Sequence, residues 1–457
     1  MFAQINQIIT VIDNAVWGMP LICLIMATGI FLTARLGLVQ IRHLGKAFKF
    51  MFKDEEDGHG EVTSFGALCT ALSATIGTGN IAGVATAIAV GGPGALFWMV
   101  LAAFFGMATK YSEGLLAIKY RTIDEDGHVL GGPFYYIENG MGKNWKWLAK
   151  LFAFFGAGVG LFGIGTFTQV NSIASAVKNF FDPNMAHTVA LFSGEYSWAT
   201  VIAGLILTLC VGLVVIGGIQ RISKVSEVVV PFMAVLYVGL ALIIIITNIT
   251  AVPGAFVTII KSAFTGSALA GGAVGSMFVA MQKGVARGIF SNESGLGSAP
   301  IAAAAARTKE PVRQGLVSMT GLSIVIAGSW LNPDLEGVEI TMDAFQKGLP
   351  FPGFVATFSL MLCLVFFAFT TILGWDYYGE RCVEYLFNKN KGVVKGYRWL
   401  YIIAVFIGPY MTVAAVWNIA DIFNALMAFP NLIALLALNG VVVKETKEFH
   451  AKHNGSY

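Results

Sequence analysis

Residues 64–90 form an apolar stretch long enough to cross a bilayer, and Gly77-Thr78-Gly79-Asn80 interrupts it in the middle. Each backbone N–H or C=O left unpaired in hydrocarbon costs several kcal/mol, so a lipid-spanning helix tolerates such a break only against protein, water or a bound solute. Glycine at 77 and 79 permits the backbone that ends one half-helix and begins another. The first half-helix then ends on free carbonyls, roughly those of residues 73–76, and the second opens on free N–H groups, roughly those of residues 78–81. A helix N-terminus carries about +0.5 charge and draws a carboxylate, whereas a C-terminus draws a cation. One break can therefore hold a zwitterion and a metal cation. Close packing is the alternative reading of the same glycines.

Composition fixes the setting. The chain is 56% hydrophobic and 12% charged, with a mean hydropathy of +0.73, against about 25% charged residues in soluble domains. It reads as an all-α polytopic membrane protein. About eleven transmembrane helices are expected, at 17–36, 64–90, 94–118, 148–177, 198–217, 227–248, 271–306, 315–331, 353–385, 399–417 and 420–443. The first follows Asp13 without a basic leader and reads as a retained span. Basic residues cluster in alternate loops, as with Arg35, Arg42, Lys119, Arg121, Lys389, Lys395 and Lys444, while the opposite loops hold only Lys178, Lys261 and Lys347. That asymmetry predicts an outside N-terminus and a cytoplasmic C-terminus in a prokaryotic plasma membrane.

A single straight helix over residues 271–306 would be about 54 Å long, against a core of about 30 Å. A second break is expected there, around Met281 and Gly284. The two broken spans each open a set of five. Because five is odd, the sets are inverted relative to each other, a five-plus-five inverted repeat with broken first helices. The expected division is an extra N-terminal helix and linker at 1–63, repeats at 64–250 and 251–443, and a tail at 444–457.

Charges inside spans are expensive and point to function or to pairing. Lys283, Arg287 and Glu293 lie in the seventh span, where an Arg287–Glu293 pair is one reading. Lys110 and Glu113 read as a mutual pair. Gln169, an amide in the fourth span, needs a partner, either a solute or another helix. Thr370 and Thr371 offer hydroxyl oxygens to a cation or to their own helix, and Trp375 shares the face of Thr371. Phe278 and Met281 share a face that can wall a pocket or simply pack. All six histidines fall outside the spans, which argues against haem or intramembrane zinc. No phosphate-binding loop and no nucleophile–base set is visible, so neither ATP nor enzymatic chemistry is expected. The net charge of +3 gives no reason to expect a nucleic-acid partner.

Two long motifs carry a family resemblance. Ala74-Thr75-Ile76-Gly77-Thr78-Gly79-Asn80-Ile81-Ala82-Gly83, followed by Gly91-Gly92-Pro93-Gly94, resembles the alanine or glycine:cation symporters. So does Arg287-Gly288-Ile289-Phe290-Ser291-Asn292-Glu293-Ser294-Gly295-Leu296-Gly297-Ser298-Ala299-Pro300, and Gly131-Gly132-Pro133 and Gly374-Trp375 also fit. The resemblance implies a sodium-coupled carrier for alanine and glycine with a LeuT-type fold, no cofactor, and Na⁺ as the coupling ion. It implies a substrate carboxylate at the backbone of Thr78 and Gly79, Gln169 as a polar contact, and a pocket lined by Phe278, Met281, Gln282 and Trp375. Fold-level similarity implies a sodium ion at the carbonyls of Ser73 and Ile76 with the hydroxyls of Thr370 and Thr371. A proton-coupled carrier using Glu293 or Lys283, and an amino-acid sensor without transport, are the alternatives. The chain departs from the family pattern at 315–331, where about a dozen residues are absent and the span is at the lower limit for crossing.

Overall fold

The computed structural model describes residues 9, 11–12, 15–43, 60–125, 128–191, 194–264, 277–305 and 338–453. In chain order the helices are α1 (Met19–Arg35), α2 (Ser64–Thr75), α3 (Ala82–Gly91), α4 (Gly94–Lys119), α5 (Lys146–Phe162), α6 (Phe167–Phe181), α7 (Trp198–Val215) and α8 (Gly218–Thr247). Then come α9 (Val252–Phe264), α10 (Met277–Asn292), α11 (Ala299–Ala304), α12 (Val338–Gly348), α13 (Gly353–Leu386), α14 (Lys391–Ile407), α15 (Val413–Ala437) and α16 (Asn439–His453). Two small antiparallel hairpins sit in loops, β1 (Thr122–Ile123) with β2 (Val129–Leu130) and β3 (Thr188–Leu191) with β4 (Gly194–Ser197). Among the described residues, six helices are long and apolar enough to cross a membrane. The expected eighth span, 315–331, lies outside the described residues.

The broken helices organise the bundle. Thr63 Oγ1 accepts the N–H of Gly66 and caps α2. The α2 half packs on α11 and the α3 half on α10, so the two broken helices run antiparallel with their breaks level. Behind them α4 contacts both α10 and α11. On the other side α13 touches α2, α5, α6 and α8. Buried Leu115, Phe152, Leu360, Leu364 and Val405 belong to the shared core. Leu205, Leu209 and Leu213 instead project outward from α7 at helical spacing, as do Val228 and Val235 from α8, the surface expected against acyl chains.

Three expectations shift. The fourth span is interrupted between Phe162 and Phe167, where the Tyr401 hydroxyl bonds the carbonyl of Gly165 at 2.9 Å and that of Ile372 at 2.7 Å. The tenth span ends at Ile407 rather than 417, because Gly408 and Pro409 close it with a 3₁₀ turn, and α15 begins at Val413 rather than 420. Between the expected spans 315–331 and 353–385, where no helix was expected, lies the helix α12.

Candidate functional site

The first break is built as the glycines predict. Ile76 leaves the helix at φ −90° and ψ 81°. Gly77 is extended, and a 3₁₀ turn over Thr78–Asn80 leads into α3. Two neutral side chains meet the exposed dipole ends. Gln169 Oε1 accepts the N–H of Thr78 at 3.0 Å, and its Nε2 donates to the carbonyl of Ile164 at 2.8 Å. The Thr371 hydroxyl lies 2.8 Å from the carbonyl of Ser73 and 3.0 Å from that of Phe367 on its own helix, and can donate to either. The interruption of the fourth span is what aims Gln169, since Ile164 lies in it. A Cβ at Gly77 would sit 2.5 Å from Thr371 Oγ1 and 2.9 Å from Gln169 Oε1, so only glycine lets both close in. Thr78 Oγ1 is buried with no hydrogen-bond partner among the described residues.

The second break is not where charge placed it. Helix α10 runs unbroken through Met281 and Gly284. Gly284 serves close packing instead, since a Cβ there would lie 2.4 Å from the carbonyl oxygen of Ala95 on α4. The chain breaks at Glu293, Gly295 and Gly297, with φ of 56°, 86° and 79°. Glu113 Oε1 accepts the N–H of Gly295 at 3.1 Å and of Gly297 at 3.2 Å. Asn431 Nδ2 donates to the same oxygen at 2.6 Å and to the carbonyl of Gly295 at 2.9 Å. Glu113 is therefore spent on backbone rather than on Lys110, whose buried Nζ makes no hydrogen bond among the described residues.

Glu293 ties the two breaks together. Its Oε1 accepts the Trp375 indole N–H at 2.9 Å, and its Oε2 accepts Ser298 Oγ at 2.7 Å and Thr75 Oγ1 at 3.3 Å. Ser291 Oγ donates to Asn80 Oδ1 at 2.6 Å, and Asn80 Nδ2 donates to the carbonyl of Thr75 at 3.0 Å. A cavity of about 370 Å³ opens beside both breaks, bordered by Ile76, Asn80, Ser291, Asn292, Tyr237 and Phe367.

The expected residues thus separate. Ser73, Ile76, Thr78, Gly79, Gln169 and Thr371 lie at or against the first break. Trp375 is buried beside Glu293. Thr370 points away, with Oγ1 3.0 Å from the carbonyls of Phe366 and Phe367 and 3.6 Å from Met233 Sδ on α8. Met281 and Gln282 precede the end of α10 by about 15 Å of helix, and Gln282 Nε2 donates to the carbonyl of Trp17 at 3.2 Å. The side chain of Phe278 lies outside the described residues. Asn431 escaped the sequence reading, Glu113 was expected only as a partner of Lys110, and Asn80 and Thr75 were read as part of the break without a side-chain role. The rule applied to Gln169, that an amide in a span needs a partner, would have found Asn431.

A family model described as the sodium:alanine symporter family matches residues 2–456. The chain belongs to that family. It is 52% identical over 459 residues to a Haemophilus influenzae protein described as an uncharacterized transporter, covering 97% of this chain and 96% of that one. It is 47% identical over 466 residues to the sodium/alanine symporter AgcS of Methanococcus maripaludis, covering 97% of each. Among solved structures it resembles MhsT in complex with L-phenylalanine at a TM-score of 0.55 and 11% identity, over 85% of this chain and 99% of that one. That likeness concerns the fold, which is LeuT-type. The symporter is a multi-pass membrane transporter and not an enzyme.

Two groups of ionic contacts flank the breaks of this symporter. At the end where the basic loops gather, His128 Nδ1 lies 2.7 Å from Glu61 Oε1 and its Nε2 lies 3.3 Å from Glu384 Oε1. Arg381 completes the cluster, 2.6 Å from Glu384. Bonds to Glu384 and then Glu61 push the imidazole up to about 9, against burial and the Arg381 guanidinium. Burial pushes Glu61 up, but bonds from His128 and the Val129 N–H leave it below the usual carboxylate value. The cluster joins the entry to α2 to the end of α13. At the opposite end, Arg287 pairs with Asp421 at 2.8 Å, not with Glu293, and lies 4.7 Å from the Trp417 ring. The Trp17 indole N–H donates to the carbonyl of Asp421 at 2.8 Å.

Proposed function

We propose that this symporter imports alanine and glycine together with Na⁺ by alternating access, and that the first break is where both bind. The observation that carries the reading is the state of that break. Its free N–H at Thr78 and free carbonyl at Ser73 are met by two neutral side chains that solutes can replace. A substrate carboxylate takes the N–H groups of Thr78 and Gly79, and Gln169 turns its amide onto the bound amino acid. Na⁺ takes the carbonyls of Ser73 and Ile76, and Thr371 offers an oxygen lone pair in place of its donated proton. Trp375 acts at the site through Glu293. The 47% identity to a sodium/alanine symporter supports this choice of solute and ion.

Transport then follows from exchanging the two closures. The Arg287–Asp421 pair faces outside and the His128 cluster faces the cytoplasm, in keeping with the basic loops beside His128. One positive charge moving down about 100 mV releases about 2.3 kcal/mol, enough for roughly fifty-fold accumulation.

The test is uptake of labelled alanine into liposomes, with glycine as competitor, under an imposed sodium gradient. Sodium-dependent, glycine-inhibited uptake is expected. Uptake driven only by a pH gradient would transfer the coupling to a proton, with buried Glu293 as its carrier. Binding without flux would make the chain a sensor.

A further inference from the structure

We propose that the cleft between the end of α13 and the start of α14 binds the headgroup of an anionic phospholipid. This inference goes beyond the transport reading and does not depend on which solute is carried.

The cleft measures about 930 Å³. One face of α14 lines it with Lys391 and Lys395 followed at helical spacing by Trp399 and Ile402, and Lys389, Arg398 and Ile216 border it too. Some of the charge is already answered. Arg398 pairs with Glu380, Arg381 with Glu384 at 2.6 Å, and Lys389 with Asp124 at 3.4 Å. Lys391 and Lys395 enter no ion pair among the described residues, and both are exposed.

Their position is electrostatically unfavourable as it stands. They are one helical turn apart, where like charges repel. They also sit at the positive end of the 17-residue α14, whose first N–H groups are capped by Asn390 Oδ1. A bound anion relieves both penalties.

The apolar residues of the lining select a lipid over a soluble anion. Ile216 is 56% and Trp399 54% exposed, and Leu400 and Ile403 continue the exposed apolar surface along α14. A phosphate group can meet the two ammonium groups while its acyl chains run along this face. A tryptophan beside a lysine cluster at a helix end is the arrangement expected at the cytoplasmic headgroup level.

The experiment uses the full chain in detergent, titrated with phosphatidylglycerol or with phosphatidylcholine of the same acyl chains, and bound lipid is counted by native mass spectrometry. Phosphatidylglycerol should be retained in preference to phosphatidylcholine. Each lysine lost should weaken that binding about fivefold, so Lys391→Gln with Lys395→Gln should weaken it roughly twenty-fivefold. Lys391→Arg with Lys395→Arg should leave it within about twofold. Equal retention of the two lipids by the unaltered protein would overturn the proposal without recourse to any variant. Unchanged affinity in the double Gln variant would do the same. Displacement by glycerol 3-phosphate or inorganic phosphate as readily as by lipid would reassign the cleft to soluble anions and reject the lipid.

Discussion

The two helix breaks lie side by side and are opposite in chemistry. At the first, the freed backbone groups are met by a glutamine and a threonine, both neutral and both from neighbouring helices. At the second, they are met by the buried carboxylate of Glu113, which also accepts from Asn431. A neutral hydrogen bond is worth only about 1 kcal/mol net, so a solute can displace it, whereas Glu113 Oε1 gathers three donors that would lose their acceptor together. The first break is thus open to exchange, and the second is a fixed joint. Symmetry of fold does not require symmetry of use.

Glu113→Ala should be the most damaging change, because it orphans the N–H groups of Gly295 and Gly297 and removes one of the two acceptors of the Asn431 amide. A loss of about 3–5 kcal/mol is expected, read as a lower melting temperature in detergent. An unchanged melting curve would mean that the second break is as replaceable as the first. Gln169→Ala should raise the apparent alanine constant about tenfold while leaving melting within a few degrees, and unaltered uptake would remove Gln169 from the site.

Thr371→Val should raise the sodium concentration for half-maximal uptake about fivefold, whereas Thr370→Val, facing Met233, should move it less than twofold. Equal effects would erase the distinction that the geometry draws between the two hydroxyls.

The smallest effect concerns the cluster at His128. Its folded pKa of about 9 lies above the ordinary 6.5, so the charged imidazole holds Glu61 and Glu384 fully below pH 6.5 and releases them as pH rises through about 9. A cysteine replacing buried Ala67 should therefore react faster in His128→Ala than in native His128 at pH 7, and the ratio should shrink toward one by pH 10. A ratio that does not vary with pH would sever the cluster from closure.

The first break was legible because two glycines and an asparagine packed into four residues of an apolar run are poorly suited to a continuous helix in lipid. The second was misplaced because charge outweighed glycine spacing. Lys283 and Arg287 drew the break toward Met281, yet Gly295 and Gly297, at positive φ, mark the real turn. The charged partners were misread for a related reason. Lys110–Glu113 and Arg287–Glu293 are neighbours in sequence, but Glu113 serves amides some 180 residues away, and Arg287 reaches Asp421. Pairing read along one helix cannot see partners supplied by another. Thr370 and Thr371 were read together for the same reason, although successive residues on a helix face different neighbours.

Asp421 has two handles. Its carboxylate holds Arg287, while its peptide oxygen holds the indole of Trp17, just before α1. Editing the side chain therefore cuts the first grip and spares the second. The Trp17 indole keeps its hold on the α15 backbone, like a handrail bolted to the frame rather than to the door.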